Sequence, residues 1–270
     1  MAMEFMQPEL LTLSGKLTRA RALDALLRVG LSSGSAADLM LCAESVTDVD
    51  VVAGAAARLR ICRHLRESPG GQVTIVPPRD ASTAERLLEL LSPLPVGVLL
   101  SDDRAVPDQT RYGFMPATLI ADSEQARLAA EFALEACEAA RVSGARANLI
   151  ALALMELADN ALIHATGTVD PPVVAATVAG RERFVEVAAV DLGEGLSEPS
   201  DCLDLVRQIP GAKEGAGFLA GLIRMGSTRE LQISIEIISG VARLRWTPAS
   251  HRTVRGNYVP GTTVIARINR

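Results

Sequence analysis

The stretch that most limits how this chain can fold is residues 151–165, ALALMELADNALIHA. It is rich in Ala, Leu and Met and holds no Gly or Pro, which predicts a helix. A spacing of four residues puts Glu156 and Asn160 on one face of that helix. The rest is apolar enough to be buried, so Glu156, Asp159 and Asn160 interrupt a core-facing surface, and buried polar groups need partners. A carboxylate and an amide one turn apart can orient a hydroxyl or water while their oxygens serve a hard cation. A helix with one solvated polar side produces the same pattern, and the pair alone does not separate the two readings.

Downstream residues add to the first reading. Residues 183–190 (RFVEVAAV) predict a buried strand that runs into Asp191-Leu192-Gly193-Glu194-Gly195. A carboxylate at a strand end, followed by glycines that allow tight turns and close backbone approach, suits a pocket that accepts an exocyclic amine. Gly215-Ala216-Gly217 opens a helical run, FLAGLIRMG, whose N-terminal amides can meet phosphate oxygens. Gly261-Thr262-Thr263 begins the last expected strand.

In this order, Glu156-x-x-x-Asn160, Asp191-x-Gly193-x-Gly195, Gly215-x-Gly217 and Gly261-Thr262 resemble the N, G1, G2 and G3 boxes of the GHKL ATPases. That superfamily includes gyrases, mismatch-repair proteins, chaperones and histidine kinases. The resemblance covers roughly the last 160 residues. It implies a Bergerat-type two-layer α/β sandwich with a mixed sheet, and ATP and Mg²⁺ as cofactors. Asp191 would hold the adenine amino group, Asn160 would coordinate Mg²⁺, and Glu156 would act as general base. Gly193, Gly195, Gly215, Gly217 and Thr262 would frame the nucleotide. The short domain and the wording of residues 156–165 look most like the anti-sigma-factor serine kinases. Residues 196–214 would be a short ATP lid, with Lys213 either near a phosphate or simply solvated.

The first half predicts a separate small α/β domain. Strands are expected at 10–17, 38–43, 72–76 and 96–100. Helices are expected at 20–29, 50–67 and 82–91, the last with Ser82 as N-cap and Glu85 three residues on. The element order, Gly15-Lys16-Leu17-Thr18 and the Asp48 turn resemble a STAS domain, the fold of anti-sigma-factor antagonists. That family presents a phosphorylatable Ser or Thr in the turn before the long helix. Here the turn reads TDVDVVAG over 47–54, with Asp50 and Val51 at the expected place. The departure implies no phosphorylation switch there, with Ser45 and Thr47 as remaining hydroxyls. Asp, Pro and Gly in 101–116 place the junction near Ala105, giving domains 1–104 and 105–270.

The second domain should open with a strand at 112–120 and a helix from Asp122 or Ser123 to about Arg141. A strand at 173–178 would then turn at Ala179-Gly180 into the one ending at Asp191. Ser239-Gly240 signals a hairpin between strands 231–238 and 241–246, and Thr262 opens the final strand.

Charge and cysteines narrow the partners. A net charge of −5 with no evident Lys/Arg cluster argues against nucleic-acid binding. Cys42, Cys62, Cys137 and Cys202 are scattered and read as reduced thiols of a cytoplasmic protein, with disulfides not excluded. The first residues lack a basic region followed by an apolar core, so no signal peptide is expected, and no apolar run reaches membrane-spanning length. His164 near a helix end complements the dipole, and His64 and His251 stand in no cluster. No second helical hairpin bears a phosphoacceptor His, which disfavours a sensor histidine kinase.

Two functions follow from the resemblance. One is a serine/threonine kinase of the anti-sigma type that transfers the ATP γ-phosphate to a STAS-type partner, its binding partner being a STAS-domain protein or a sigma factor. The other is a non-catalytic, nucleotide-gated interaction module whose partner is its own N-terminal domain in cis. A structural protein with a degenerate site is a third expectation. The resemblance leaves room for a homodimer.

Overall fold

The computed structural model describes residues 9–17, 38–92, 94, 96–102, 118–164, 174–180, 183–200 and 233–270. The expected helices at 20–29 and from Gly217, most of the lid, and the start of the expected 112–120 strand lie outside the described residues. The chain divides into two compact units, Met1–Arg111 and Tyr112–Arg270.

In the first unit, strands β1 (Glu9–Leu17), β2 (Leu39–Val49), β3 (Val73–Val76) and β4 (Val98–Leu100) form an all-parallel sheet in the order β1-β2-β3-β4. Parallel neighbours need a crossover, and helices α1 (Val51–Glu67) and α2 (Ala81–Leu91) supply it after β2 and β3. Alternation in β1 buries Leu11, Leu13 and Leu17 beside the buried Leu39 and Leu41 of β2, and α2, which packs on β2, buries Leu87, Leu88 and Leu91. Each such leucine contributes about 1.5–3 kcal/mol by leaving water.

Three local expectations for this unit are corrected. The 44–49 stretch, including Thr47 and Asp48 of the expected turn, continues β2, because β1 keeps pairing with it through two register shifts as far as Leu17↔Val49. Gly54 lies in the first turn of α1, where a Cβ would sit 2.6 Å from the Leu90 Cβ, so glycine permits the close approach of α1 and α2. Asp80, and not Ser82, caps α2: its carboxylate accepts from the Thr83 amide at 2.8 Å and from the Ser82 hydroxyl at 2.7 Å. A carboxylate accepts both bonds and complements the helix dipole. Those bonds hold the Asp80 carboxyl down at about 2.

The second unit is a five-stranded sheet with a helical layer. Strands β5 (Thr118–Ile120), β6 (Val174–Gly180), β7 (Phe184–Val190), β8 (Ile233–Thr247) and β9 (Ser250–Asn269) lie in the order β5-β6-β7-β9-β8. Helix α3 (Ser123–Ala139), capped by Asp122, and helix α4 (Gly144–His164) pack on each other. Helix α4 lies on β6, β7 and β9. Alternate residues Val185, Val187 and Ala189 of β7 and Ile233, Ile235 and Ile237 of β8 face Ile150, Ala153, Leu154 and Leu157 in one core. The fold class is therefore α/β, with one parallel and one antiparallel sheet. A mixed second sheet was expected, but every pairing among its described strands is antiparallel. A two-residue turn at Pro248-Ala249 joins β8 to β9, a connection that only antiparallel neighbours allow.

The hairpin expected at Ser239-Gly240 is also corrected. β8 runs on to Thr247, the turn falls at Pro248-Ala249, and β9 is continuous through Gly261. Gly240 does carry a positive φ of 51°, but it serves a bulge where the β8–β9 register shifts. The Arg245 guanidinium stands 3.6 Å from the Glu236 carboxylate although the two are nine positions apart along the strand, about 30 Å if straight. The strand thus folds back at the bulge, and residues 241–259 form an arm.

Candidate functional site

The site begins where β7 ends. Val185 to Val190 is buried throughout, so the strand is fixed on both faces, and it delivers Asp191 to a position only 3% exposed. Asp191 Oδ1 accepts two backbone hydrogen bonds, from Gly193 at 2.8 Å and from Thr262 at 3.0 Å. The Asp191 amide donates in turn to the Thr262 carbonyl at 2.9 Å, and the Gly261 amide to the Gly193 carbonyl at 2.6 Å. Among the described residues, nothing donates to Asp191 Oδ2. Burial pushes the carboxyl up to about 6, while the two amides pull the other way.

The glycines explain how the segments come so close. A Cβ on Gly261 would lie 2.1 Å from the Asp191 carbonyl oxygen, and one on Gly195 would lie 2.4 Å from the Gly240 nitrogen. A Cβ on Gly240 would lie 2.0 Å from the Leu196 oxygen. All three have positive φ. Their first duty is contact of backbone with backbone. The buried Ser239 side chain ties the same place together, accepting from the Leu196 amide at 3.0 Å and sharing a proton with the Thr262 hydroxyl at 2.7 Å. Tyr258 donates its hydroxyl to the Glu194 carbonyl at 2.8 Å, and Arg255 meets Glu198 at 3.3 Å, so the arm also holds the loop. Ser239, Gly240 and Tyr258 were not read as site residues. The Ser-Gly pair was the available signal, and it pointed to a turn.

Asp191, Gly193, Gly195 and Thr262 are thus brought together. Glu156 and Asn160 are half-buried on α4, the helix packed on β7 and β9. Asp159 beside them has a buried Oδ1 with no hydrogen-bond partner among the described residues. Gly215, Gly217 and Lys213 lie outside the described residues. No group of three or more His, Cys, Asp or Glu suited to a metal occurs among the described residues. An Asn oxygen together with phosphate oxygens and waters is nonetheless a donor set that Mg²⁺ takes.

A cavity of about 400 Å³ lies elsewhere, lined by Phe184, Ser234, Arg267 and Asn269 together with Thr247 and Pro248 of the arm tip. Phe184 starts β7 and Asp191 follows its end, about 23 Å along the strand, so this cavity is not the Asp191 site. On the sheet beside it, Arg267 bridges buried Glu186 at 3.0 Å and Glu236 at 2.9 Å. Among the described residues no helix is long and apolar enough to cross a membrane.

Comparison with protein-family models, curated proteins and solved structures returns no match for this chain.

Proposed function

We propose that this chain is an ATP-binding protein of the GHKL class. Within that class we propose the anti-sigma type of serine/threonine kinase, with a STAS-like N-terminal domain and a STAS-domain partner as phosphoacceptor. The observation that carries this reading is the Asp191 carboxylate. It is buried, its Oδ1 is fixed by two amides from separate segments, and its Oδ2 is left for a donor such as the adenine amino group.

The residues present fit the nucleotide on that ground. Asp191 binds and orients the purine, and Asn160 supplies an oxygen to Mg²⁺. Glu156 takes the proton from the partner's hydroxyl. Bound ATP with Mg²⁺ supplies the phosphoryl group, and positioning with charge neutralisation is most of what such a transfer asks of a protein. The position of Glu156 and Asn160 on α4, the helix packed on β7 and β9, supports the same reading.

One observation favours the second reading, a nucleotide-gated interaction module. Asp50 caps α1 and accepts from the Val52 amide at 2.9 Å, so a carboxylate stands where the resembled STAS family presents a hydroxyl. The acceptor would then be a second protein, or there would be none. Labelled ATP, magnesium and a STAS-domain protein decide between them. The kinase reading expects Glu156→Gln to keep ATP binding and lose transfer, and Asn160→Ala to lose Mg²⁺-dependent binding. Tight ATP binding by the wild type without transfer to any STAS protein would leave the module reading standing.

A further inference from the structure

The arm carries a charge pattern that the nucleotide reading does not use. Residues 241–258 contain Arg243, Arg245, Arg252 and Arg255 and no Asp or Glu, in a chain of net charge −5. Strand pairing concentrates them. Arg245 and Arg252 are direct cross-strand partners, so their side chains leave the same face of the arm. Like charges placed directly opposite repel each other. The Arg245 side chain is 82% exposed and, among the described residues, pairs only with Glu236, at 3.6 Å. Arg252 is exposed and has no ion pair among the described residues.

Arg243 stands two residues from Arg245 on that face and is held rigidly. Its guanidinium donates to the Gly240 carbonyl at 2.9 Å and to the Asn257 carbonyl at 2.6 Å, and the Gly256 backbone leaves room for it. Val254, opposite Arg243, is 40% exposed and adds an apolar contact. The outward guanidiniums of this face are therefore those of Arg245 and Arg252, while the Arg243 guanidinium is turned back onto the Gly240, Ala242 and Asn257 carbonyls.

We propose that this face of the arm docks an extended acidic segment of a partner protein. An extended chain with carboxylates at every second position presents them on one side, toward the exposed Arg245 and Arg252 guanidiniums. One such carboxylate between Arg245 and Arg252 relieves their repulsion. A long polyanion fits less well, because its phosphates would run beyond the arm onto a chain whose charge is otherwise strongly negative.

The test uses the full chain and a fluorescein-labelled ten-residue peptide of alternating Glu and Thr, followed by fluorescence anisotropy without nucleotide. Binding is expected at low salt and is expected to fade as salt rises. The pair Arg245→Glu and Arg252→Glu is expected to weaken it about tenfold or more, and Arg245→Lys with Arg252→Lys to keep most of it. Circular dichroism checks that the exposed variants stay folded. The proposal is overturned if the charge-reversed variant binds equally well, or if a Gln and Thr peptide binds as tightly. Tighter binding of an oligothymidine, lost in the same variants, would also overturn it.

Discussion

The Asp191 carboxylate accepts a hydrogen bond from the Thr262 amide at 3.0 Å, although 71 residues separate them. Those residues include all of β8 and the arm, so the bond forms only when β7 and β9 are paired side by side. The candidate site and the sheet register are one structure.

Asp191→Asn separates the carboxylate's two duties. An amide oxygen still accepts from the Gly193 and Thr262 amides, and this leaves the Asn NH2 at the other position, where it meets the adenine amino group donor to donor. ATP affinity is expected to fall roughly thirtyfold, about 2 kcal/mol, as measured by calorimetry. The protein is expected to stay folded.

The same variant tests the pH dependence. The folded-state carboxyl is raised to about 6 against an ordinary value near 3.8. Between those values the folded state holds more protons, so the associated stability is full below the lower value and is lost as pH rises through about 6. The loss is roughly 3 kcal/mol. Trp246, the only tryptophan and part of the second unit's core, reports unfolding in urea. Wild type minus Asp191→Asn is expected to show this fall, and a pH-independent difference would refute it.

Gly240→Ala is expected to destabilise the second unit by roughly 2–4 kcal/mol, since the new methyl would strike the Leu196 carbonyl at a positive φ. Gly144→Ala, whose Cβ meets nothing within 4 Å, is the control and is expected to stay within about 0.5 kcal/mol. Urea midpoints followed by Trp246 fluorescence check both.

Arg267→Met is expected to cost roughly 3 kcal/mol, because it leaves the carboxylate of Glu186, whose side chain is 3% exposed, without its bridging cation. Adding Glu186→Leu is expected to restore part of the loss. A double variant no better than the single one would mean that the arginine stem, and not its charge, is what matters there.

Much of this architecture could be read from residues close together in sequence. Helix α4 follows from an Ala- and Leu-rich run, and Asp191 from an apolar strand ending in a carboxylate and two glycines. What escaped depends on pairing across distance. Ser239-Gly240 resembles a turn locally, but β9 pairs with both halves of β8, and that ladder outweighs the turn signal. The basic face was hidden because Arg245 and Arg252 become neighbours only once the arm folds. Asp80 and Ser82 both suit an N-cap, and only the geometry of α2 separates them.

Isothermal calorimetry of the full chain with a nonhydrolysable ATP analogue and Mg²⁺, run beside Asp191→Asn, tests the central claim most directly. Saturable binding by the wild type that is strongly weakened in the variant is the expected result. No heat of binding in the wild type, or equal affinity in both proteins, would contradict it.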